Sequence, residues 1–199
     1  MIGWLRMEPT SEPPPARVWR DWVLVGLISS ATVLEVILRN DVVWRPVALV
    51  FGIVVAVTML FRRTHPLASV AVAFGGLIVL DLAAVVAVGQ PFTAYAAAAV
   101  VVLVYALFRW GNSQQAAIGC GFVMVEIIVV AATDFTGLTD LGGGIVVLLF
   151  PAALGLTVRY RRLVSAQRYE QIRSTERDQL ARELHDTVAH HVAAIAIQA

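Results

Sequence analysis

Apolar residues fill six stretches of the chain, about 22–38, 46–61, 67–88, 92–109, 114–132 and 141–158, and polar residues fall mainly in the short connections between them. At ~1.5 Å rise per residue, about 20 helical residues cross the ~30 Å of bilayer hydrocarbon. The pattern therefore predicts an all-α protein whose residues 21–158 form a polytopic bundle of about six transmembrane helices. Four or five crossings with one re-entrant segment is the alternative. The second stretch is short, and is expected to borrow Val42–Trp44 or to let Arg45 snorkel. The connections 39–45, 62–66, 89–91, 110–113 and 133–140 are too short to hold an extracellular sensing domain. Any stimulus is thus expected to be read within the membrane or at its surface.

At Arg159 the pattern changes abruptly to charged, helix-forming residues, with neither Pro nor Gly through Ala199. One helix is expected to leave the membrane and continue to the end of the sequence. Between 159 and 179 its apolar seam is thin, comprising Leu163, Val164, Tyr169 and Ile172, which at most makes a weak coiled coil. That stretch reads as a linker. From residue 180 onward, Leu180, Ala181, Leu184, Val188, Val192 and Ile195 share one helical face. Asp186 and His190, four apart, are neighbours on the opposite face, and His185 sits on the flank between the two. The pairs Asp178–Arg182 and Arg182–Asp186 each add roughly 0.2–0.5 kcal/mol of helix support.

Composition agrees with the membrane reading: 59% of residues are hydrophobic and mean hydropathy is +0.78. The net charge of +1 gives no general attraction to nucleic acid. All fifteen basic residues are arginine, and their placement sets an orientation. With the N-terminus inside, Arg17, Arg20, Arg62, Arg63, Arg109, Arg159, Arg161 and Arg162 are cytoplasmic, and only Arg39 and Arg45 lie outside. An even number of crossings then places the C-terminal helix in the cytoplasm at the plasma membrane. Residues 1–20, with Glu-Pro and Pro-Pro-Pro, are expected to be a disordered arm, and the first apolar run a retained helix without a cleavage site. Cys120 stands alone in an apolar stretch, which excludes a disulfide framework or a cysteine metal site.

The stretch R-E-L-H-D-T-V-A-H, Arg182 to His190, resembles the phospho-acceptor box of bacterial two-component sensor histidine kinases of the DesK and NarX branch. The resemblance covers about the last 25 residues and is only architectural elsewhere. It implies that His185 accepts the phosphoryl group, that Asp186 is its acid–base partner, and that residues 180–199 begin a dimeric four-helix bundle. It further implies a homodimer, a response regulator with a helix-turn-helix DNA-binding domain, and ATP with Mg²⁺ as phosphate donor. The branch carries a phosphatase motif D-x-x-x-Q at this acid; here it reads D-x-x-x-H, making His190 the candidate water-orienting residue. No Asn-containing ATP box and no glycine-rich ATP lid is found, and Gly142–Gly144 lies in a membrane stretch without the context of a nucleotide loop. The 199 residues are therefore expected to be an N-terminal fragment, inactive alone.

Three acids interrupt the apolar stretches: Glu35, Asp81 and Glu126, the 14th, 15th and 13th residues from the expected cytoplasmic ends of their spans. That is a common depth of ~20 Å. Intramembrane acids face the bundle interior and often mark a site. They are the candidate sensing residues, for protons, a cation or a cationic amphiphile. The competing reading is local satisfaction, Glu35 and Arg39 being an i,i+4 pair. If such acids instead lined a path, the protein would be a small multi-pass transporter or channel component with a helical tail. Trp44 and Trp110, near span ends, read as lipid-interface anchors.

Overall fold

The computed structural model describes residues 19–134 and 137–198, with side chains through residue 180 except those of Tyr95 and Ala96. The predicted arm at 1–18 lies outside the described residues. Six α-helices follow in order: α1 (Trp19–Leu38), α2 (Arg45–Phe61), α3 (Pro66–Val88), α4 (Val100–Trp110), α5 (Ser113–Thr133) and α6 (Leu138–Gln198). A 3₁₀ turn, Tyr95–Ala99, leads into α4, and no strand occurs among the described residues.

Among the described residues, four helices are long and apolar enough to cross a membrane: α1, α3, α5 and the first part of α6. The other two are shorter, α2 with 17 residues and the helical run Ala97–Trp110. The sequence pattern missed three boundaries. Trp19 and Arg20, expected in the arm, are already helical. Val42–Trp44 do not lengthen α2, because Trp44 adopts a left-handed backbone conformation, φ 51°, and Pro46 opens the helix immediately after. Residues 92–94, expected within the fourth span, are not helical: Pro91, just before them, cannot donate a backbone hydrogen bond, and the Phe92 N–H donates to a side chain instead.

The chain divides into two compact units, Met1–Thr157 and Val158–Ala199. In the first, α2, α3 and α4 supply the interior, with Val55, Met59, Val70, Phe74, Leu103, Val104 and Leu107 buried. Phe51 of α2 meets Phe92 edge-on, ring centroids 6.0 Å apart, which seats the irregular segment against the core. Helix α1 packs on α2, and α5 on α3. The outer faces of α1, α3, α5 and the first part of α6 carry exposed apolar side chains, for example Leu27, Ile37, Val86, Ile128, Val146 and Phe150. Such surface calls for hydrocarbon as its solvent.

Local chemistry sets the helix ends. Gly89, with φ 73°, closes α3 and donates its N–H to the Val85 carbonyl. Asn112 opens α5 with a reciprocal cap, its Oδ1 accepting from Gln115 N at 2.7 Å while Gln115 Oε1 accepts from Asn112 N. Glycine allows close approach at two crossings. A methyl group on Gly52 would overlap the Thr32 side chain, and one on Gly155 would stand 2.7 Å from the Tyr105 carbonyl oxygen.

In the second unit, residues 158–198 are helical. Among the described side chains there, Leu163 and Val164 are half-buried, whereas Tyr169, Ile172 and Leu180 are more than half exposed.

Candidate functional site

The acceptor candidate His185, its neighbour Asp186 and the phosphatase candidate His190 all lie on helical backbone of α6. Their side chains are outside the described ones, so the helix establishes their spacing and no more. A run free of Gly and Pro is what keeps this stretch helical. Upstream, the side chains of residues 165–180 are all exposed, so a partner helix has access to that length of α6.

Residues 176–199 match the histidine kinase family model of the HisKA_3 type. The match covers the end of α6, which carries His185, and supports a histidine kinase of that type. No curated protein and no solved structure matches the chain.

The three intramembrane acids have three different surroundings. Glu35 pairs with Arg39, Nη1 to Oε1 at 2.9 Å, and Arg39 reaches on to Asp41 at 2.6 Å. That hydrogen bond from Arg39 holds the exposed Asp41 carboxyl below its usual range. Arg45 donates to the Arg39 carbonyl oxygen, so the 39–45 turn is laced by arginine.

Asp81 accepts the Phe92 N–H at 2.8 Å. It is buried, and it satisfies a buried backbone donor where the chain leaves helical geometry; leaving such an N–H unpaired costs about 1–3 kcal/mol. Its role here includes holding the entry to α4.

Glu126 differs from both. It is 8% exposed, and its Oε2 is buried without a hydrogen-bond partner. Glu126 and Asp81 are close enough for their charges to interact, as are Asp81 and Asp134. Glu126 lines a cavity of about 370 Å³ walled by α3, α4, α5 and the start of α6. Glu35 lines a separate groove beside α1. Neither space fits ATP: both walls are mainly apolar, and the carboxylates of the first would repel phosphate.

One acid escaped the sequence reading. Asp21, 2% exposed, binds Arg62 at 2.7 Å and Arg63 at 3.2 Å, clamping the start of α1 to the α2–α3 turn. Burial draws the Arg62 guanidinium below its ordinary value, and the Asp21 charge opposes that shift. The available signal was an acid within a stretch otherwise rich in arginine, between Arg20 and the first apolar run.

Proposed function

We propose that the chain is the membrane sensor and phospho-acceptor helix of a two-component sensor histidine kinase, with His185 as the acceptor. The observation that carries this reading is the family match at 176–199, which falls on the same helix, α6, that begins with an apolar segment long enough to cross a membrane. In this arrangement residues 21–158 form the sensor, 159–179 the linker, and 180–199 the start of the dimerisation unit. The six helices form a multi-pass bundle in the plasma membrane, with the N-terminus and the part of α6 after residue 158 on the cytoplasmic side. The arginine distribution supports that orientation.

The exposed apolar side chains of Tyr169, Ile172 and Leu180 support a homodimer, because a second copy of the helix would cover them. ATP with Mg²⁺ is the substrate, held by an ATP-binding domain acting on this helix in cis or in trans. A neutral ring nitrogen of His185 attacks the γ-phosphorus, the N–P bond forms as the β–γ bridge breaks, and ADP leaves. Asp186 accepts a hydrogen bond from the other ring N–H, which selects the tautomer and stabilises the developing positive charge. The phosphoryl group then passes to an aspartate of a response regulator with a helix-turn-helix DNA-binding domain. In the reverse mode His190 orients the water that dephosphorylates the regulator. A change in how the 159–180 helices pack would switch access to His185.

The test supplies the chain in nanodiscs with an isolated histidine-kinase ATP-binding domain and γ-labelled ATP. Acid-labile label on wild type, absent from His185→Gln, supports the assignment. Equal labelling of the variant removes it.

A further inference from the structure

The cavity around Glu126 has features that the phosphotransfer reading does not use. Its walls are apolar, including Phe74, Leu77, Val100, Ile127 and Leu148. Its charged lining residues are Glu126, Asp134 and Asp140, all acidic. Asp134 and Asp140 are exposed, while Glu126 is buried with Oε2 lacking any donor. Asp134, the C-cap of α5, lies eight positions beyond Glu126, about 12 Å of helix, so Glu126 lies well below it.

A buried, unpartnered carboxyl facing an apolar space marks a place where a charge partner is missing. No group of three or more His, Cys, Asp or Glu residues among the described ones could hold a metal ion, so the donor set is wrong for a metal cation. An anion is excluded by the three acids. A neutral apolar molecule would leave Oε2 as it stands. What matches the space is a molecule with an apolar body and a terminal N–H-bearing cation. The volume, about 370 Å³, lies near the small end of the ~300–1,000 Å³ found for ligand pockets, which favours a compact amphiphile over a whole lipid.

We propose that the α3–α4–α5–α6 cavity binds a compact lipophilic ammonium, whose N–H groups donate to Glu126 and whose apolar part packs against Phe74, Leu77 and Leu148. Asp134 and Asp140 attract the cation at the entrance. Glu35, paired with Arg39 and lining another groove, takes no part. The site stands on the cavity alone and does not depend on the kinase reading. If that reading holds, this is where the stimulus enters.

Octylammonium is a suitable probe. Its equilibrium binding is measured on the full chain in phosphatidylcholine nanodiscs, with empty discs subtracted. Wild type shows saturable binding, reduced at least tenfold in Glu126→Gln. Gly144 lines the cavity, and a Cβ there meets nothing within 4 Å, so Gly144→Phe fills the space while leaving the acid intact; it too loses binding. Asp41→Asn removes an exposed carboxyl outside the cavity and binds as wild type does. Melting curves establish that each variant is folded, and if Glu126→Gln is not, Gly144→Phe decides. Octanol, which has the same tail without the charge, competes poorly. Replacing part of the phosphatidylcholine by phosphatidylethanolamine lowers probe binding if a lipid amine is the natural occupant, and leaves it unchanged if a free amphiphile is. Absence of saturable binding, binding retained by the folded variants, or equal competition by octanol would overturn the proposal.

Discussion

Asp21 and Arg62 meet at 2.7 Å although 41 residues separate them, and their side chains are only 3% and 11% exposed. The pair joins the first turn of α1 to the end of α2, and Arg63 adds a second contact. Removing one partner from a buried ion pair leaves an uncompensated charge, which costs about 3–5 kcal/mol. Asp21→Asn is therefore expected to lower the thermal unfolding midpoint in detergent by several degrees, with Asp21→Glu recovering part of the loss. Unchanged melting of Asp21→Asn would show that the clamp contributes nothing to stability.

Asp81 separates two roles that a single acid can have. If it holds the α4 entry by accepting the Phe92 N–H, an amide serves nearly as well as a carboxylate. Asp81→Asn should then stay close to wild type, whereas Asp81→Leu strands a buried donor at a cost of ~1–3 kcal/mol. Hydrogen exchange at residues 91–99 reads this directly. Faster exchange is expected in the leucine variant alone. Equal exchange in both variants would contradict the capping role.

The α1–α2 crossing depends on Gly52. Thr32 is fully buried beside it and donates to the Ile28 carbonyl at 2.8 Å, so its β-branched side chain has little freedom to move aside. Gly52→Ala should lower stability by about 1–3 kcal/mol, the range for overpacking. The double variant Gly52→Ala, Thr32→Ser removes the overlapping methyl group and should recover part of it. No recovery in the double variant, measured by thermal unfolding, would locate the strain elsewhere.

The helices themselves were legible because apolar runs broken by Pro, Gly and Arg report directly on helix length and ends. The Asn112–Gln115 cap was equally open to reading, as Asn-x-x-Gln before an apolar run. What escaped depends on distant partners. Nothing near Asp21 in sequence says that Arg62 will lie against it. Pro91 hints at the non-helical start before α4, but the acceptor that makes it tolerable, Asp81, lies ten residues back on another helix. The acids Glu35, Asp81 and Glu126 look alike in sequence, and only tertiary placement separates an ion pair, a backbone cap and a carboxyl facing a cavity. The family match at 176–199 was legible through its motif, R-E-L-H-D, rather than through any packing pattern.

The central claim is that phosphate resides on His185. The most direct measurement is mass-spectrometric localisation after incubation with ATP, Mg²⁺ and a histidine-kinase ATP-binding domain, with peptides kept alkaline to preserve N-linked phosphate. His185, His190 and His191 all fall within one short segment, so fragmentation must separate them. Phosphate on His185 alone is the expected result. Phosphate on His190 or His191 instead, or on none of the three, would contradict the account.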